Sequence, residues 1–221
     1  MSILTEKPWL AQEMGAWPDN ECRYRRQLTG LRFLLAVIGS MFLLFMVAMI
    51  MRTQLGDWQP LTEQPWQPLF DTGPLWRNTA CLLASSVLVQ VAYFSVRPAP
   101  VLAQGLMVFG AASALLFLYG QWELWELFSA RQFGVQSSVS ASFFYLLTGL
   151  HGLHLLVGLL FWPRSFVALW RGKSQLARER LALMLTYWHF LALIWLALFA
   201  LLTSTPQTYR ALAALCGVSV P

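Results

Sequence analysis

FFYLLTGLHGLHLLVGLLFW, Phe143 to Trp162, is long and apolar enough to cross a bilayer as one helix. About 20 apolar residues are what a helix needs to span the hydrocarbon core, and the only ionisable side chains here besides a tyrosine are His151 and His154. They form the pattern H-G-x-H and are two of the chain's three histidines. Histidine is the commonest metal ligand among side chains and a usual haem ligand. The stretch therefore settles a fold class and raises a chemical question.

The rest of the chain has the same character. Of 221 residues, 57% are hydrophobic and 11% charged, with mean hydropathy +0.55. Soluble domains carry about a quarter charged residues, so this chain lacks the charge to cover a water-facing surface. Outward from Phe143–Trp162, four more apolar runs appear. The spans are expected at 31–51, 75–96, 101–119, 140–162 and 181–202. Backbone groups in hydrocarbon must be satisfied internally, so runs of this length form helices; barrel strands would be about 10 residues with alternating polarity. The expected fold is all-α, a five-helix transmembrane bundle. It is flanked by an N-terminal segment, 1–30, and a C-terminal tail, 203–221. The segment from Thr53 to Gly73, with Pro60, Pro65, Pro68, Trp58 and Trp66, reads as an ordered loop near the membrane interface.

Five spans place the termini on opposite sides. With the N-terminus inside, Lys7, Arg23, Arg25, Arg26, Arg32, Arg97, Arg164, Arg171, Lys173, Arg178 and Arg180 are cytoplasmic. Only Arg52, Arg77, Arg131 and Arg210 are outside. Eleven against four is a positive-inside bias, so the C-terminus is expected to be periplasmic in a Gram-negative cell. The net charge of +5 is then a topology signal, not a nucleic-acid one. The N-terminus has no signal-peptide core. Cys22, Cys81 and Cys216 are far apart and suggest neither a disulfide framework nor a zinc site.

Residues three apart share a helix face, so His151 and His154 point the same way. Gly149, Gly152 and Gly158 nearby allow a neighbouring helix to approach. The third histidine, His189, lies in Y-W-H-F, Tyr187 to Phe190. Zinc needs at least three protein donors, and within the fourth and fifth spans only His189 could join the pair. Three readings of the histidines stay open on the residues alone: axial haem ligands across two helices, hydrogen-bonded structural groups, or lipid-headgroup contacts. The spans as drawn contain no carboxylate; Glu123 and Glu126 fall just beyond the third and are expected at the interface. Gln121 and Trp125 share a face if that helix continues, a polar handle and an amphipathic ring near headgroup depth. No nucleotide loop, nucleophile constellation or haem-attachment CxxCH is present.

Four segments together resemble one family. FFYLLTGLHGLHLLVG resembles the T-G-x-H-G-x-H signature of subunit III of haem–copper respiratory oxidases. NTACLLASSV (78–87), FLYGQWELWELF (117–128) and YWHFLALIWLALF (187–199) resemble its other helix motifs, in matching order. The resemblance covers about Leu31 to Leu202 and is to the five-helix bacterial form. It implies a V-shaped bundle whose cleft holds phospholipid, packed on catalytic subunit I, with subunit II and a small subunit IV as further neighbours. It also implies that this chain has no catalytic residues, metal or cofactor of its own, haem and copper belonging to partner subunits. In that reading His151, His154, Gln121 and Trp125 are lipid-cleft or structural residues, and Trp188 and His189 pack on a neighbouring helix. The rivals are the accessory subunit of a nitric oxide reductase and a membrane cytochrome subunit carrying haem b. Three family acids are absent. The first span reads AVIGSMFLLF without a carboxylate, Glu123 sits one place early after Gln121, and Ala192 replaces the acid that follows Y-W-H-F. A scaffolding and lipid-packing role fits this set better than proton handling.

Overall fold

Each apolar run is helical in the computed structural model, and each helix outlasts its apolar core. The structure describes residues 19–55, 57–61, 69 and 71–215. The start of the N-terminal segment, Lys7, Pro65, Trp66, Pro68 and Cys216 lie outside the described residues. The helices are α1 (Asp19–Arg52), α2 (Gly73–Ser95), α3 (Pro100–Ala130), α4 (Val139–Trp170), α5 (Ser174–Leu202) and α6 (Pro206–Leu215). The first five are long and apolar enough to cross a membrane. At 1.5 Å per residue α1 and α4 are each about 50 Å long, well beyond a ~30 Å hydrocarbon core.

Local chemistry sets the ends. Pro74 and Pro100 occupy first-turn positions, where the missing N–H costs nothing. Ser138 caps α4, accepting from the Ala141 N–H at 3.2 Å. α3 and α4 both end in a left-handed residue, Gln132 (φ 67°) and Gly172 (φ 70°). In each case the next N–H reaches back six residues inclusive, Phe133 to the Phe128 carbonyl and Lys173 to the Ala168 carbonyl. Pro163 inside α4 removes one rung of its ladder without ending the helix.

Helices α2 and α3 form one hairpin and α4 and α5 another. α5 is the hub, packed against α1, α2 and α4, while α3 closes the bundle between α2 and α4. Accordingly the membrane-spanning window of α5 is 61% buried and those of α1 and α3 only 28%. Gly158 makes one of these approaches possible: a Cβ there would stand 2.8 Å from the Trp188 ring and 2.9 Å from that of Tyr187.

The residues after α5 form a short helix where the sequence reading had only a tail. α6 folds back on α1. Its Tyr209 is buried, donates to the Leu201 carbonyl at 2.5 Å and meets the Trp58 ring edge-on. Burial pushes the Tyr209 phenol pKa up, which keeps the hydroxyl a donor. Trp58 also packs against Phe143, and an Arg52–Asp57 ion pair holds the start of its loop.

Candidate functional site

Many of the polar side chains inside the bundle lie along two helix seams. The first joins α2 to α5. Trp188 and Trp195 are seven residues apart on α5, hence on one face, and both are fully buried. Trp188 Nε1 donates to Ser85 Oγ at 3.1 Å, and Ser85 Oγ donates onward to the Gly110 carbonyl of α3 at 2.8 Å. Trp195 Nε1 donates to Thr79 Oγ1 at 3.0 Å. Between them, His189 uses both ring nitrogens on α2. Nε2–H donates to Gln90 Oε1 at 2.8 Å, which leaves Nδ1 to accept from the Ser86 hydroxyl at 2.5 Å. The N-T-x-x-L-L-x-S-S segment and the Y-W-H-F…W segment are thus two halves of one antiparallel lock. The sequence shows them only as separate runs.

Each tryptophan centres a cross-section of the bundle. Trp188 meets Trp162 of α4 edge-on at 5.0 Å. Trp195 meets Phe117 of α3 at 4.7 Å and the His151 ring at 5.1 Å. The second seam joins α3 to α4. Trp125 Nε1 donates to Thr148 Oγ1 at 3.1 Å, and the Tyr145 hydroxyl lies 3.2 Å from both the Trp125 and Phe133 carbonyls. α3 continues through GQWELWELF, so Glu123 and Glu126 stand on its last turns. There Trp122 Nε1 donates to Glu126 at 3.0 Å. Gln121 faces inward, buried, with one long 3.5 Å contact from Asn78 of α2, and its Nε2 meets no acceptor among the described residues.

His151 and His154 do not share an environment, although they share a face. His151 is 0% exposed, enclosed by Phe42 (6.3 Å), Phe117 (6.0 Å) and Trp195, and neither ring nitrogen has a hydrogen-bond partner among the described residues. His154 is half-buried; its Nδ1–H donates to the Leu150 carbonyl one turn back at 2.7 Å, and its ring lies against Phe42 at 5.6 Å. Tyr187 of α5 donates to the His154 carbonyl at 2.8 Å. His151 and Gln121 are both buried within the packed bundle.

His189 engages α2 through both ring nitrogens, and the His151 ring lies against Trp195. A groove opens between α1, α4 and α5, with a volume of about 470 Å³. Arg23, Arg164 and Arg180 rim it, and Leu34, Val157 and Phe161 form its apolar wall. Its one acid, Glu179, already accepts from Gln175 at 2.8 Å. Basic residues that mark topology also suit contact with anionic lipid headgroups, and here Arg23, Arg164 and Arg180 are brought to one groove from α1, α4 and α5.

Comparison with known proteins bears on the whole chain. A family model described as cytochrome c oxidase subunit III matches residues 28–204. A cytochrome c oxidase subunit 3 of Synechocystis sp. is 36% identical over 96 residues, covering 41% of this chain and 39% of the relative. A probable cytochrome c oxidase subunit 3 of Mycobacterium leprae is 31% identical over 150 residues, covering 66% of this chain and 71% of the relative. The subunit 3 of Locusta migratoria is 32% identical over 151 residues but is matched over only 52% of its length.

Proposed function

The chain belongs to the cytochrome c oxidase subunit III family, and on that premise we propose that it is the non-catalytic third subunit of a haem–copper terminal oxidase. Subunit III of such an oxidase is part of an oxidoreductase complex, and this one is a multi-pass membrane protein. Its role is to cover and stabilise catalytic subunit I, beside subunit II, in a bacterial inner membrane with the N-terminus cytoplasmic. The observation that carries this reading is the α2–α5 lock. The Trp188, His189 and Trp195 side chains of the family motif all join α5 to α2, which is the work of a scaffold. Deleting the chain is expected to leave the haem spectra of the complex intact while sustained oxygen turnover or assembly falls. Normal assembly with undiminished turnover over many cycles would sink the proposal.

The same role includes holding phospholipid, in the groove between α1, α4 and α5. A phospholipid phosphate suits three arginines facing a single, already engaged glutamate. An acyl chain suits the wall of Leu34, Val157 and Phe161. The paired substitution Arg164→Gln and Arg180→Gln is expected to strip anionic phospholipid from the purified complex, measured by native mass spectrometry. Unchanged lipid content would remove the groove from the proposal.

A further inference from the structure

The outer face of the α2–α5 seam carries a hydrogen-bond donor that meets no acceptor among the described residues. Ser86, Gln90 and Tyr93 follow one another on α2 at i, i+4 and i+7, so they form one stripe. Opposite them on α5 stand His189 and, nearer the cytoplasmic end, Arg178, whose Nε contacts the Tyr93 hydroxyl at 3.4 Å. Gln90, Tyr93, His189 and Arg178 are each half-buried, at the edge of the bundle. Gln90 gives its Oε1 to His189, and its two N–H donors meet no acceptor among the described residues.

Depth makes this costly. His189 lies about 12 Å beyond Leu181 and Gln90 about 9 Å before Val96 along their helices, both inside the hydrocarbon thickness. Acyl chains offer no acceptor, and an unsatisfied polar group in hydrocarbon costs several kcal/mol. Other faces differ. The outer stripe of α3 is Val108, Phe109, Leu115 and Leu116, and that of α4 is Leu153, Leu156 and Leu160. Lipid covers those apolar side chains at no polar cost.

We propose that the α2–α5 face is where another membrane-spanning chain docks, presenting an oxygen acceptor to the Gln90 amide between the apolar side chains of Val87, Phe94 and Leu193. The occupant is a protein helix and not a lipid tail, because only the helix brings an acceptor to that depth. This rests on the reading of the chain as a subunit of a larger membrane complex.

The test is photocrosslinking in native membranes, on the intact complex, with p-benzoylphenylalanine introduced singly at Val87, Leu193, Leu116 or Leu160. Positions 87 and 193 are expected to give adducts to another oxidase subunit, at least tenfold above positions 116 and 160. Lipid adducts alone at 87 and 193, or subunit adducts of equal yield from 116 or 160, overturn the docking face. In both of those cases the oxidase subunits still co-purify with the chain. Failure of any oxidase subunit to co-purify is a different result; it overturns the subunit reading and takes the docking face with it.

Discussion

His189 and His151 sit on two helices that pack together, and they solve the problem of an imidazole in an apolar interior in opposite ways. His189 is half-open at the bundle edge and has both nitrogens bonded to α2. His151 is wholly enclosed by aromatic rings and has neither nitrogen bonded among the described residues. The first ring is a fastener, since replacing it strands a hydroxyl and an amide. The second is a filler, whose shape matters more than its nitrogens. A motif histidine can therefore be kept for bonding or for packing, and only its partners distinguish the two.

The largest expected effect comes from removing the anchor beside His189. Trp188→Ala deletes a fully buried ring that touches Trp162, Ser85 and the Gly158 face. It should cost about 3–5 kcal/mol in equilibrium unfolding of the chain in mixed detergent. A cost below about 1 kcal/mol would mean that the α2–α5 lock does not organise the bundle. Next comes the contrast itself. His189→Leu leaves Ser86 and Gln90 without their partner and should cost about 1–3 kcal/mol. His151→Leu breaks no hydrogen bond to the described residues and should stay within about 0.5 kcal/mol of the parent, or gain. The reverse ranking would show that His151 has a bonding partner after all, an internal water being the simplest. The smallest effect is Ser86→Ala, which removes one interhelical bond worth about 0.6 kcal/mol. A loss several times larger would indicate that Ser86, Gln90 and His189 act as a cooperative unit.

Much of the fold was legible because hydrocarbon leaves the chain few choices. Five runs of sufficient length had to become helices, and they did. The boundaries were less legible. The apolar runs mark hydrocarbon, whereas helices stop where capping chemistry stops them, as at Gln132 and Gly172. α6 escaped notice because PQTYRALAAL is too short and too polar to read as a span. Of the candidate site, Trp188 and His189 bond to α2. Their partners Ser85, Ser86 and Gln90 were not identified, since pairing between helices about a hundred residues apart leaves no local pattern. The grouping of His151 with His154 followed from i, i+3 spacing. That spacing gives a shared face, but the width of the face still lets one ring be enclosed and the other half-open.

By itself the sequence determined the class of environment, the number of crossings and the family, because apolar length and motif order are properties of the chain alone. Tertiary structure decided which polar side chain answers which. A serine hydroxyl, an indole N–H and an imidazole in hydrocarbon each need a partner, and the partner lies wherever helix packing brings it. Packing α5 against α1, α2 and α4 bound His189, enclosed His151, and left Gln90 half-buried at the bundle edge.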